Sequence, residues 1–289
     1  MAHELDFTTG QAAIALRGGK STAWHGFGET IEPGDSVKVI QRKAGLNWEA
    51  IAAPLQFADK DGNLHTFDGQ QVLYRSDSKA PLGVTSTARY NIVQPAEVME
   101  FFGDFLRDNG LNIETAGAVR GGRIIWCMAK LGSDFDFLMA GKDRIDSYVR
   151  LQTSFDGSRA TDLVATTTRQ VCANTMRMVD VDADRAGFRT PHSAKFDAKA
   201  LQGAFGLLGE QYKMTAKVWN ALQARKVTQA EMMEFFCKLW SVEPADLDKV
   251  DKDGSKVVST RTQNMIKELA AAYANGPGAS LKSAKGTAF

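Results

Sequence analysis

Leu111-Asn112-Ile113-Glu114-Thr115-Ala116-Gly117-Ala118, then Val119-Arg120-Gly121-Gly122, then Arg123-Ile124-Ile125-Trp126-Cys127-Met128-Ala129-Lys130-Leu131 is the stretch that decides the fold. Two runs of strand length flank a short turn with paired glycines, the pattern of a β-hairpin. In the outgoing run Arg123, Ile125, Cys127 and Ala129 share one face, while Ile124, Trp126, Met128 and Lys130 share the other. Both faces are apolar in the middle, so this strand is expected to be central in its sheet.

Similar signals recur on either side. Ile145 to Phe155 and Ala160 to Arg169 flank Asp156-Gly157-Ser158, a second hairpin. Upstream, Pro95 opens a helix whose buried stripe is Val98, Phe101, Phe102 and Phe105, and Gly110 stops it. Ser36 to Ile40, Trp48 to Phe57, Gln71 to Arg75 and Leu82 to Ser86 read as short strands between turns. From about Phe196 the pattern turns helical, with Leu201, Phe205, Leu208, Tyr212, Thr215, Val218, Trp219 and Leu222 at helical spacing. Thr228 and Glu231 form a capping box for a further helix, and a last one runs from about Ser259 to Ala274. The fold class is therefore α+β: an antiparallel β-sheet with hairpins and one packed helix, followed by a C-terminal helical region. Four segments result: 1–23, a flexible N-terminal segment; 24–195, the sheet-rich α+β domain; 196–276, the helical region; 277–289, a mobile basic tail.

The 289 residues are 44% hydrophobic and 24% charged, which excludes a wholly disordered chain. Lys plus Arg number 35 and Asp plus Glu 34, so the net charge of +1 gives no general pull on nucleic acid and anion binding must be local. Cys127, Cys172 and Cys237 are odd in number and far apart, which argues for a reducing compartment. There is no Cys-x-x-Cys pair for a structural zinc. No secretory signal opens the chain, and no stretch approaches the roughly 20 apolar residues of a membrane span. A soluble protein of the cytoplasm, with no membrane partner, is expected.

Motifs with chemical promise each fail a test of spacing. Gly18-Gly19-Lys20-Ser21 looks like the end of a phosphate loop, but Ile14 stands where its first glycine belongs. Asp251-Lys252-Asp253-Gly254 would need ligands at Lys249 and Thr260 to hold calcium, so it reads as a turn. His3, His25, His65 and His192 form no helical metal pair, and each reads as surface or structural. Cys172 has no marked histidine partner and reads as a small buried thiol rather than a nucleophile. No catalytic residue, metal site or cofactor is therefore assigned.

What stands out is cationic. Arg120, Arg123, Lys130, Lys142, Arg144, Arg150, Arg159, Arg169 and Arg177 are interleaved with Trp126, Tyr148 and Phe155. Guanidinium forks grip phosphates and rings stack on unpaired bases, which is the requirement of a single-strand groove. A solvated sheet edge, balanced by nearby Asp residues, reads the same composition. Lys213 and Lys217 share a helix face downstream.

Trp24-His25-Gly26-Phe27-Gly28, Glu114-Thr115-Ala116-Gly117 with Gly121-Gly122-Arg123 and Trp126, Ala129-Lys130-Leu131, Ser154-Phe155-Asp156-Gly157-Ser158 and Arg169-Gln170-Val171-Cys172-Ala173-Asn174-Thr175-Met176 occur in that order. Together they resemble the phage/plasmid-like family known as domain of unknown function 932, over roughly Trp24 to Trp240. The resemblance implies a protein encoded by phages, prophages or plasmids, at work in a bacterial host's cytoplasm. Met176 stands where the family usually has Leu, a change of packing only. The resemblance brings no catalytic residue with it.

The expected function is a non-enzymatic single-stranded DNA-binding or annealing protein in recombination or replication of a mobile element. Its partner is single-stranded DNA, and its assembly a homo-oligomer, ring or filament. Arg123, Lys130, Arg150, Arg159 and Arg169, with Lys213 and Lys217, would hold phosphates, and Trp126 and Tyr148 would stack on bases. Arg123 and Trp126 point to opposite faces of one ideal strand, so a flat groove keeps Arg123. The alternatives are a protein-interaction factor, anti-defence or host-takeover, acting through the helices around Trp219 and Trp240, and an enzyme assembled from distant residues.

Overall fold

The computed structural model describes residues 4–18, 23–108, 111–132, 137–139 and 143–289. In chain order the strands are β1 (Ile14–Arg17), β2 (Glu29–Ile31), β3 (Ala50–Ala58), β4 (Leu64–Arg75), β5 (Pro81–Ser86), β6 (Asn112–Val119), β7 (Ile124–Lys130), β8 (Phe137–Met139), β9 (Asp143–Ile145), β10 (Tyr148–Ser154), β11 (Thr161–Thr166) and β12 (Phe188–Thr190). The α-helices are α1 (Val37–Lys43), α2 (Pro95–Asp108), α3 (Ala173–Ala186), α4 (Ala198–Ala224), α5 (Gln229–Leu239) and α6 (Thr260–Asn275). Two units form: Met1–Asp136 with Asp146–Tyr212, and Phe137–Ile145 with Lys213–Phe289.

The first unit is built on a seven-stranded sheet ordered β12-β11-β10-β7-β6-β1-β2. Every neighbouring pair is antiparallel except β1 with β2. The α+β class is as the sequence predicts, and β7 is central, paired with β6 on one side and β10 on the other. The expected single packed helix is in fact two. Helix α2 lies against β6, β7 and β10 and buries Val98, Phe101 and Phe102. On the other face α3 packs on β11, and its Met176, Val179 and Ala183 join Ile14, Leu16, Val119, Ile124, Trp126, Met128, Tyr148 and Val164 in one core. The sequence reading missed α3 because Asp180, Asp182 and Asp184 break the apolar pattern with weak helix formers. A second sheet, β3-β4-β5, completes this unit.

Three expectations about the ends and edges need correction. The described residues of 1–23 are not a free segment: β1 lies inside the sheet between β6 and β2, with Ile14 and Ala15 fully buried. Asp6 anchors what precedes it, pairing with Arg75 in the interior. Ser36 to Ile40 is helix rather than strand, because the Ser36 hydroxyl caps α1 at the Val39 amide and Ile40 and Ala44 bury at helical spacing. The last residues pack as well: Thr287 and Ser283 are buried, Tyr273 donates to the Thr287 carbonyl at 2.9 Å, and the Ala288 amide donates to Arg225.

In the second unit α5 carries the predicted capping box of Thr228 and Glu231. Phe236, Cys237, Leu247 and Ile266 form its core, with Met232, Trp240 and Tyr273 around them. Asp251 forms the predicted turn, its carboxylate accepting from the Asp253 and Ser255 amides. Gly19 to Thr22, Gly110, His3 and Lys142 lie outside the described residues, as do the side chains of Phe105, Arg144, Leu201, Phe205, Leu208 and Tyr212. No helix among the described residues is long and apolar enough to cross a membrane.

The sheet closes around a tryptophan pair. Trp24 stacks on Trp126 with centroids 5.2 Å apart, and its indole N–H donates to the Gln170 carbonyl. Its backbone amide donates to Val171 at 2.6 Å, so the Trp24 and Arg169–Met176 motifs meet. Trp126 in turn lies across β6 at Gly117, where a Cβ would stand 2.9 Å from the ring and 2.6 Å from the Ala13 carbonyl. Gly117→Ala is expected to lower stability by about 1–3 kcal/mol, read as an earlier midpoint in denaturant. An unchanged midpoint would show that the ring can shift without cost.

Candidate functional site: an arginine-lined end of the central sheet

The β6–β7 turn and the β10–β11 turn lie side by side, because β7 pairs with both β6 and β10. Arg120, Gly121 and Gly122 take left-handed backbone conformations in the first turn, and Gly157 does so in the second. That conformation is what paired glycines permit, and the non-glycine Arg120 shares it. The Phe155 amide donates to the Arg123 carbonyl at 2.8 Å and joins the two turns. Arg120, Arg123 and Arg159 are thereby gathered at one end of the sheet.

Two pockets open there. One, about 270 Å³, is lined by Val119, Ile124, Ala173 and Met176 beneath three guanidinium groups, Arg120, Arg159 and Arg177, with Glu4 and Asp180 as its carboxylates. The other, about 320 Å³, is lined by Arg89, Tyr90, Gly157, Arg159 and His192, with serines at Ser86 and Ser193. Arg159 belongs to both.

Beneath the first pocket runs a buried ionic network. Arg150 donates to Asp180 at 2.7 Å and to Asp162 at 2.8 Å, and both Arg150 and Asp162 are essentially inaccessible. Asp180 also receives Arg159 at 3.0 Å and Gln152 at 3.3 Å. Burial pushes the Asp162 carboxyl above its ordinary range, against the pull of Arg150. In the second pocket Tyr90 and His192 stack with centroids 4.3 Å apart. The Tyr90 hydroxyl donates to the Ser154 carbonyl at 2.6 Å, and burial raises its pKa. The His192 nitrogens lie 3.0 Å and 3.1 Å from the Asn91 and Arg159 carbonyls. Both oxygens are acceptors, and between them they fix the orientation of the ring in this pocket.

The predicted phosphate and stacking residues separate into groups. Arg159 lines the pockets, and Arg123 is exposed at the same end with no carboxylate partner among the described residues. Arg150 is buried in its ion pairs, and Trp126 is buried under Trp24, so neither can reach a polyanion. Tyr148 is buried too, in the α3-side core. Lys130 and Arg169 pair with Asp146 and Glu114, both at 2.7 Å, and sit toward the opposite end of the strands. The seven residues of β7 set a separation of roughly 20 Å between the two ends. Lys213 and Lys217 are exposed on α4 in the second unit. The continuous arginine ribbon is therefore corrected: the middle of the hairpins is interior, and interior guanidinium groups need carboxylates.

Sequence reasoning passed over Arg89, Tyr90, Glu4 and Asp180, and read His192 as surface or structural. Arg120 and Arg177 stood in the cationic run but were not singled out. The glycine pair beside Arg120 was the available signal; Asp180 had none, because its partners are distant in sequence.

Cys172 sits at the N-cap of α3 and is half-buried, not enclosed as the sequence reading expects. Burial raises its thiol pKa, but the Thr175 and Asn174 amides outweigh this and leave it below the ordinary value. Cys127 and Cys237 are buried, and burial raises both. No cluster of three or more metal-ligating side chains occurs among the described residues.

A family model described as Domain of unknown function (DUF932) matches residues 81–289. The match starts within the β-rich part, leaving the Trp24–Gly28 motif outside it, and extends through the helical unit to Phe289. No curated protein and no solved structure matches the chain.

Two outcomes are expected. Arg150→Ala costs about 3–5 kcal/mol, because it strands Asp162 and Asp180 in the interior; equilibrium unfolding in urea reads this, and a parent-like midpoint would show the network to be dispensable. Brief treatment of the native protein with iodoacetamide labels Cys172 ahead of Cys127 and Cys237, as peptide mass mapping would report. Equal labelling of all three would contradict their burial.

Proposed function

The chain belongs to the DUF932 family, a domain of unknown function, so activity has to be argued from the site, and we propose that this protein binds single-stranded nucleic acid across the arginine-lined end of its central sheet. The observation that carries the reading is Arg159, which stands in two neighbouring pockets at once. Arg120 and Arg177 border one of them; Arg89 and the Tyr90–His192 stack border the other. Phosphates of a flexible strand are held by successive guanidinium groups, while aromatic edges beside them accommodate bases. A stiff duplex gains less from two small recesses than a strand that can bend into each. Arg89 is exposed with no carboxylate partner among the described residues, so it meets a phosphate without breaking an ion pair.

In this reading the protein handles single strands during recombination or replication of a phage or plasmid in a bacterial host's cytoplasm. Binding and alignment of the strand are its whole contribution, and assembly of several copies along one strand fits the same task. A second reading, a protein-interaction factor, draws on one observation: Met214, Val218 and Leu222 form an exposed apolar ridge on α4.

Fluorescence anisotropy with a labelled oligothymidine tests the proposal. Binding is expected at low salt and weakens as salt rises, with a slope near −0.7 per phosphate contacted. Arg89→Glu combined with Arg159→Gln is expected to weaken it by about tenfold or more and to flatten that slope. Parent-level binding by the double variant would exclude this surface.

A further inference from the structure

The first pocket holds a carboxylate that bridges two arginines. The Glu4 carboxylate reaches in and bridges two arginines that lie far from it in sequence, Arg120 through Oε2 at 2.7 Å and Arg177 through Oε1 at 3.2 Å. Both guanidinium groups are otherwise well exposed, 47% and 66% for their side chains. No other described carboxylate pairs with either of them.

Glu4 does not wander there by chance. Its carbonyl accepts from the Arg120 amide at 2.7 Å, Leu5 bridges to Val119, and the Asp6 amide donates to Ala118 at 3.0 Å. The segment is thus laid along the end of β6, and the buried Asp6–Arg75 pair fixes it from below. Glu4 itself has a φ of 51°, a left-handed conformation that costs a residue with a Cβ and persists only where surrounding contacts impose it. The Arg120 hydrogen bond holds its carboxyl below the ordinary range, with the charges of Arg120 and Arg177 acting the same way. A carboxylate set between two arginines offers two anionic oxygens to two forks, which is the arrangement a phosphate group also presents.

We propose that Arg120 and Arg177 form a phosphate subsite that the Glu4 carboxylate occupies in the unliganded chain and surrenders when a phosphate of the bound strand enters. This rests on the nucleic-acid reading above and adds a device to it: the N-terminal segment is an internal competitor that sets how much anion is needed to load the site. Exchange of one anion for another leaves both arginines neutralised throughout, so neither is exposed as an unpaired charge. A dianionic terminal phosphate competes better than a single diester of the backbone, because it brings more charge to the same two forks.

The test compares the parent chain with Glu4→Gln, with Glu4→Ala as a second variant, and with Arg120→Gln/Arg177→Gln. Two probes are used: labelled oligothymidine by anisotropy and inorganic pyrophosphate by calorimetry, with thermal melting to confirm that each variant folds. Loss of the competitor is expected to tighten oligothymidine binding about threefold to tenfold, the effect of one charge-assisted contact. The double arginine variant is expected to bind oligothymidine more weakly than Glu4→Gln does. Oligothymidine bound by Glu4→Gln no more tightly than by the parent, while Arg89→Glu/Arg159→Gln still loses it, would overturn the competitor and leave the nucleic-acid reading standing. Failure of every chain to bind oligothymidine would instead sink that reading, and pyrophosphate then decides the subsite alone. Pyrophosphate bound more tightly by Glu4→Gln and lost with the two arginines supports it; no pyrophosphate binding by either chain refutes it.

Discussion

Asp180 is the point on which the first unit turns. It projects from α3 onto the sheet and holds Arg150 and Gln152 from β10 and Arg159 from the β10–β11 turn. A buried guanidinium without carboxylates would be costly, so these ion pairs tie the seating of α3 to β10. That seating brings Met176 and Val179 onto the apolar core and leaves Arg177 at the pocket rim. Buried and solvent-reaching charges are therefore neighbours in one network: Arg150 is sealed below, and Arg159 reaches from the same aspartate into the open.

The N-terminal residues complete this arrangement. β1 supplies an interior strand, Asp6 meets Arg75 in the interior, and Trp24 covers Trp126. Trp24 and His25 adopt left-handed backbone angles, φ 48° and 59°, which the Val171 and Gln170 contacts stabilise. The Trp24-His25-Gly26 and Arg169–Met176 motifs thus look alike in purpose: they are two halves of one packing junction. Neither needs a chemical role to account for its composition.

Arginines on strands have two physical fates, and they separate by position along the strand. Mid-strand, where two helices cover the sheet, a guanidinium must find carboxylates, as Arg150 does. At the strand ends, where turns reach solvent, Arg120, Arg123 and Arg159 keep at least part of their surface. The same composition thus describes a continuous polyanion track and a sheet with one cationic end. Only the second is compatible with a packed core on both faces.

The sequence alone determined the class of fold, the two central hairpins, the centrality of β7 and the helices from α4 onward. Those rest on local signals: glycine at turns, alternation along strands, capping residues and helical spacing. It also named Arg123 and Arg159, which the structure leaves at the solvent-reaching end of the sheet. What it could not show was which cations are solvent-facing, because burial of Arg150 depends on Asp162 and Asp180, contributed by other elements. The interior place of β1, the existence of α3 and the bridge from Glu4 to Arg120 and Arg177 were likewise decided by tertiary structure. Each joins residues far apart in the chain, and no local pattern records a partner that arrives only on folding.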